Sequence, residues 1–427
     1  MARPKTFLAK GGGPESLDRE EAGRLFLEGL DAAIAEVGRV RSVLLLPPDL
    51  TRLHSEAGFF TCAAYRFLTE RGIAVTVLPA LGTHAPISAE GRMRMFPDIP
   101  AELFRVHRWE RDILELGRLD AEEVAEITEN ALRSDWPVQV NLLLANGSFD
   151  LIVSLGQVVP HEVVGMANHA KNVLIGTGGR EAIDKSHYAG ALFGLERIMG
   201  RTDTPVRALL DRGMLLAEGK LPPVLYLLTV IGGARPELRG LYSGFGRECF
   251  ELAATLSARL NIETVPRPLQ KAVVYLDPGE FRSTWLGNKA IYRTRLAMAD
   301  GGELTIIAGG LERFGEDAGL DRLIRRHGYC SAEEVRLKVA ADLELAAGLS
   351  AAAHLVHGSA DGRFTIRYCP GPGLTREEIE SVGFDWGDIS LALERYRPES
   401  LSPGPNRTTD GEEFFYIANP ALGLWKA

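Results

Sequence analysis

The chain has 427 residues, with 48 Lys+Arg against 57 Asp+Glu and a formal net charge of −9. That balance argues against a protein working mainly on nucleic-acid phosphates and against a basic surface docking on anionic lipid. A hydrophobic content of 45% and a charged content of 25% exclude global disorder, and at roughly 150 residues per domain the length predicts two or three domains.

Residues 1–20 are polar and Gly-rich and lack the apolar core of a secretory signal. No apolar run approaches the roughly 18 residues that a membrane span needs. Cys62, Cys249, Cys330 and Cys369 are far apart and form no CxxC. The expectation is therefore buried free thiols in a reducing cytoplasm, not a zinc ribbon or a disulfide framework.

In chain order, the pattern predicts a helix over Arg19–Val37, a strand over Ser42–Leu46, a helix over Phe59–Arg71 and a strand over Ala74–Pro79. A helix over Ala121–Ser134 and a strand over Leu151–Leu155 follow. Further on come a helix over Phe245–Leu260, a strand over Ala272–Leu276, a helix over Leu286–Ala299 and a strand over Leu304–Ala308. A helix over Ala332–Ala347 precedes the Pro-rich loop Arg397–Arg407 and a last strand, Phe414–Ile417. The alternation predicts an α/β fold with mainly parallel sheets and ligands at the carboxyl ends of the strands. The Gly/Pro/charge cluster Gly232–Leu241 predicts a boundary, giving two α/β domains over 1–235 and 236–427 that face each other across an active-site cleft.

Four segments carry polar residues that folding alone does not require. LLLPPDLTR runs an apolar strand into Asp49, Thr51 and Arg52. Asp and Thr there suit a helix cap, while Arg52 suits a phosphate or carboxylate. VLPALGTHAP projects His84 just past a strand, as a structural or exposed residue or as a general acid or base. Ser154–His187 holds His161, His169, His187, Lys171 and the GTGG turn Gly176–Gly179. It has no HExxH and no GK[ST], so neither a zinc site nor a P-loop is indicated, and a catalytic loop and a solvated His-rich loop stand level. In FRSTWLGNKAIYR, Lys289 and Arg293 share a helix face, either a solvated basic face or a cationic clamp.

Taken together and in order, these pieces resemble the lactate racemase family, whose members use a nickel-pincer nucleotide. The match consists of DxTR at Asp49–Arg52, GTH at Gly82–His84, PH at Pro160–His161, Lys171, His187 and the Lys289–Ala290 pair ahead of Gly301–Gly302. It covers about residues 40–315. The resemblance implies that Lys171 links the cofactor, a pyridinium-3-thioamide-5-thiocarboxylate mononucleotide carrying nickel, and that His187 is the protein ligand of nickel. It implies that His84 and His161 are the two acid/base histidines and that Arg52 and Lys289 hold substrate. Asp49 and Thr51 would lie against the cofactor, and Gly176, Gly178 and Gly179 would let backbone amides approach its phosphate.

The chain departs from the family pattern in three places. Gly165–Ala170 (GMANHA) replaces a Gly/Ser-rich GFSGG, Leu53 replaces a Pro, and Leu286 beside Trp285 replaces a Gln at a substrate position. The last change points to a hydroxyacid larger than lactate, such as a sugar acid, with Trp285 at the substrate.

The implied function is a racemase or epimerase that inverts C2 of a 2-hydroxyacid by hydride removal and return. A silent sugar-acid- or nucleotide-binding relative and a divalent-metal hydrolase or lyase are the alternatives. Expected partners are the hydroxyacid and the enzymes that make the cofactor, with no nucleic acid, no membrane and an oligomer left open. The tail from about Ser402 is expected to return to the first domain.

Overall fold

The computed structural model describes residues 5–13, 15–232, 236–421 and 423–427. The chain forms two units. The first runs to Ser186 and resumes over Met199–Asn261; the second comprises His187–Ile198 and Ile262–Ala427.

The sheet of the first unit has the order Lys5–Gly11, Glu237–Phe245, Val224–Gly232, Leu151–Gln157, Ser42–Leu46, Ala74–Val77. The last four are mutually parallel, and the first two are antiparallel additions at one edge. Val43 to Leu46 are fully buried, the continuous apolar run of a strand covered on both faces. Helix Arg19–Val37 starts at Asp18, whose side chain accepts the Glu20 and Glu21 amides, and ends at Gly38 with φ 95°. It buries Ala22, Phe26, Leu30 and Ala33, the stripe that helical spacing predicts. Phe26 meets Phe60 of helix Ala57–Glu70 edge-on at 5.6 Å.

The second unit's sheet has the order Asp385–Trp386, Thr365–Pro370, Met298–Ala308, Leu269–Tyr275, Glu413–Ile417, Gly404–Arg407. All neighbours are parallel except the last pair. The α/β class with mainly parallel sheets is thus as expected. All four cysteines are free and buried, and among the described residues no helix is long and apolar enough to cross a membrane.

Two expectations are corrected. The boundary does not fall at residue 235: Val224–Gly232 and Glu237–Phe245 are antiparallel neighbours in one sheet, and the chain divides after Asn261. Gly/Pro/charge clusters serve hairpins as well as linkers, and residues 233–235 lie outside the described residues. The tail does not return to the first unit but completes the second. Glu413–Ile417 pairs in parallel with Leu269–Tyr275, and Leu424–Lys426 pairs with Ile262–Thr264.

Candidate active site

The site is built at the carboxyl ends of the parallel strands of the first unit. Strand Ser42–Leu46 leaves the sheet through Pro47 and Pro48. Pro48 bridges to Ala80, and the Ala80 amide donates to Pro47 O at 2.8 Å, so the loops after two neighbouring strands run side by side. Asp49 ends the first loop and caps the 3-10 turn Leu50–Ser55. Its Oδ1 accepts the Thr51 amide at 3.1 Å and the Thr51 hydroxyl at 2.5 Å. Its Oδ2 accepts from His84 Nδ1 on the second loop.

Asp49 is buried, whereas the His84 side chain is 60% exposed. Burial alone would raise the Asp49 carboxyl. The hydrogen bond and charge of His84, with the Thr51 bonds, outweigh it and hold the carboxyl below its ordinary value. With Nδ1 held by a carboxylate, His84 keeps Nε2 for proton transfer. Gly82 makes the sharp turn before it, with φ 56°, and its amide donates to Gly176 O at 2.9 Å.

His161 is buried in the two-residue strand Pro160–His161, which pairs with Gly165–Met166. The Val163 amide donates to its Nδ1 at 3.1 Å, which assigns the ring proton of the neutral form to Nε2. Glu162 Oε2 lies 3.7 Å from the same Nδ1.

Lys171 opens the short helix Ala170–Leu174. The next residue pins that helix to two strand ends: Asn172 Nδ2 donates to Leu46 O at 3.1 Å and to Ser154 Oγ at 2.9 Å. Burial, then the positive charge of Arg52, push the Lys171 amine down to about 8; Glu162 and Asp49 oppose this and Arg207 adds to it. The structure therefore gathers Asp49, Thr51, Arg52, His84 and Lys171 and adds Glu162. The sequence reading missed Glu162, although a carboxylate directly after the PH pair was its signal.

The turn Gly176–Gly179 works by close packing. A Cβ on Gly176 would lie 2.7 Å from Ala80 Cβ, and one on Gly179 would lie 2.4 Å from Gln139 Oε1. The Gly176 amide donates to Lys171 O at 2.9 Å and the Gly178 amide to Ile175 O at 3.2 Å, so these two are spent inside the turn instead of being turned toward a phosphate. Buried His107 supports the turn, with Nε2 bonded to Gly178 O at 3.1 Å and Nδ1 to Asn141 Nδ2 at 3.1 Å.

The remaining expected residues belong to the second unit. His187 lies on helix Arg180–Phe193, which the division of units crosses between Ser186 and His187. Lys289 begins helix Lys289–Thr294, its Nζ 5.7 Å from the centre of the Phe281 ring. The Trp285 ring lies 4.3 Å from that of His354, whose Nε2 is 3.1 Å from Tyr329 OH. Arg293 does not extend a basic face beside Lys289: it is buried and donates to Gly423 O at 3.4 Å.

Residues 30–196 match the model of the lactate racemase N-terminal domain. No curated protein matches the chain. A protein of solved structure from Thermotoga maritima is 26% identical, with a TM-score of 0.77 over 96% of this chain and 100% of that one. The lactate racemase apoprotein from Thermoanaerobacterium thermosaccharolyticum is 14% identical, with a TM-score of 0.69 over 97% of this chain and 90% of that one. The resemblance to the lactate racemase family is thereby borne out over residues 30–196, and the chain shares the fold of the lactate racemase apoprotein.

Proposed function

We propose that this chain of the lactate racemase family is a racemase or epimerase that inverts the hydroxyl-bearing C2 of a 2-hydroxyacid, using a nickel-pincer nucleotide joined to Lys171. The observation that carries the reading is the constellation of the Asp49–His84 pair, the Arg52 guanidinium and a lysine amine lowered to about 8.

The residues suit the cofactor in two respects. An amine with its midpoint near 8 is roughly a tenth neutral at pH 7, where an ordinary lysine is almost wholly protonated. Nucleophilic attachment requires that neutral fraction. Among the described residues no group of three His, Cys, Asp or Glu is arranged to hold a metal. His187 would be the one side chain to hold the nickel ion of such a nucleotide, which would need no cluster of side-chain ligands.

When bound, the nucleotide supplies the hydride acceptor that no side chain can provide. The side chains do the rest. Arg52 holds the substrate carboxylate, and the family resemblance gives Lys289 a substrate role as well. Asp49 holds the His84 ring through Nδ1, so Nε2 is the nitrogen that takes the hydroxyl proton at one face. His161, with Nδ1 occupied by the Val163 amide, handles the proton at the other face through Nε2. Leu286, standing where lactate racemase has a glutamine, and Trp285 beside it favour a substrate larger than lactate, and a sugar acid suits them.

The test is a panel of hydroxyacids offered to protein co-produced with cofactor-making enzymes. The expected result is C2 inversion, abolished in Lys171→Ala together with the covalent mass increment. Full loading without turnover on any hydroxyacid would leave a silent binding protein in its place.

A further inference from the structure

A buried arginine that the sequence reading passed over stands behind Lys171. Arg207, on helix Pro205–Leu216, is fully buried. Its Nη2 donates to Met166 O at 2.5 Å and its Nη1 to Asn168 O at 3.2 Å. The guanidinium lies 4.4 Å from the centre of the Phe250 ring. Among the described residues no carboxylate is within ion-pair distance of it, Asp211 acting on it only from farther off while paired with Arg247, and Nε has no hydrogen-bond partner. Burying a charge on these terms is costly, and a leucine or methionine would fill the volume without that cost. What an apolar side chain cannot do is bridge two carbonyls with one planar fork.

Both carbonyls belong to residues 165–170, the loop that leads into Lys171. Its backbone is left-handed at three positions, with φ of 80° at Gly165, 71° at Asn168 and 59° at His169. For the last two, which carry side chains, that conformation is strained and persists only where the surroundings impose it. From the other side the His169 ring packs against Tyr226 at 4.1 Å and Phe250 at 5.2 Å, with Nε2 bonded to Gly246 O at 3.1 Å.

We propose that Arg207 is a positioning residue for Lys171. By bridging the Met166 and Asn168 carbonyls it holds the strained loop in the one conformation that sets the lysine amine among Arg52, Glu162 and Asp49. The proposal rests on Lys171 as the attachment point, but it is testable without the cofactor. Arg207 also adds positive charge near the amine. Arg52 and Arg207 push the amine toward neutrality, and Glu162 and Asp49 pull the other way.

The experiment uses full-length protein made without the cofactor pathway, as wild type, Arg207→Lys and Arg207→Met. Each is acetylated with limiting acetic anhydride from about pH 6 to about pH 10, the span between an activated and an ordinary amine. Peptide mass spectrometry follows Lys171 against exposed Lys10, and thermal melting checks that each variant is folded. In wild type the Lys171 reaction should rise through a midpoint near 8. Arg207→Lys keeps the charge and loses the fork, so labelling at neutral pH should fall about threefold or more as the loop relaxes. Arg207→Met should fall further; if it does not fold, Arg207→Lys decides alone. A Lys171 profile unchanged from wild type in folded Arg207→Lys overturns the proposal. A shifted profile, alongside wild type that gains no cofactor mass when co-produced with the cofactor-making enzymes, upholds the positioning role and rejects the attachment reading.

Discussion

At Asp49 one carboxylate makes two kinds of contact: Oδ1 caps the turn Leu50–Ser55 while Oδ2 holds His84. A capping role therefore does not compete with a contact to His84 at this residue. Asp49→Asn keeps the shape and loses the charge, so turnover of loaded protein should fall about 10- to 100-fold. His84→Ala should cost about 100-fold or more, with the covalent mass increment retained. Because the folded state holds the Asp49 carboxyl below its ordinary value, its contribution to stability is present above the usual carboxylate range and is lost as pH falls through the lowered value. Lys171 has the opposite sign. Its amine is easier to protonate in the unfolded chain, so it destabilises the fold fully below about pH 8 and ceases to do so above the ordinary lysine range. Lys171→Met should therefore raise the melting temperature, by the equivalent of about 2 kcal/mol at neutral pH, and the gain should vanish in strong base. Equal melting of the two proteins at neutral pH would contradict the buried-amine account. Asp49, Arg52 and His84 stood out because each follows an apolar strand, and Lys171 through its place in the ordered set of motifs. Arg207 was not: it lies far along the chain on an ordinary amphipathic helix, and only the fold brings it to the loop.

Elements, unlike single residues, were read well where one pattern ran without a break. Arg19–Val37 and Ser42–Leu46 have the expected limits. Helices failed where a local bond competes with propagation. Ala121–Ser134 stops at Ile127 because Glu129 and Asn130 take φ of 50° and 65°. Ala332–Ala347 breaks at Asp342, whose side chain caps the next turn at Glu344 and Leu345. Leu286–Ala299 splits at Asn288, and Met298 already begins a strand. The turn after Lys171 is where element and site coincide. Gly176→Ala would drive a Cβ against Ala80 and the Asn172 carbonyl, so it should destabilise the cofactor-free protein by about 1–3 kcal/mol. Gly179→Ala meets only the end of the Gln139 side chain, which can move, and should cost less. Equal, negligible losses in denaturant would return these glycines to a purely ligand-binding role.

Over the whole molecule, two parallel-sheet units share one chain that leaves the first, enters the second at His187, and returns at Met199. No periodicity announces that excursion. Segment 187–198 belongs to the second unit through buried Arg295, which binds Glu196, Asp361 and Ser359 O together. Arg295→Leu takes this partner from Asp361 and leaves Glu196 with Arg363 alone, and should cost about 1–2 kcal/mol in chemical denaturation, since both carboxylates are partly exposed; a neutral effect would mean that the network does not anchor the segment. The central claim concerns the whole molecule's chemistry, and one isotope measurement reaches it most directly. Cofactor-loaded protein is given a 2-hydroxyacid deuterated at C2 in ordinary water, and the inverted product is examined. Hydride removal and return predicts product that keeps its deuterium at C2, with no turnover in Lys171→Ala. Product carrying solvent hydrogen at C2, or inversion undiminished in Lys171→Ala, would contradict the account.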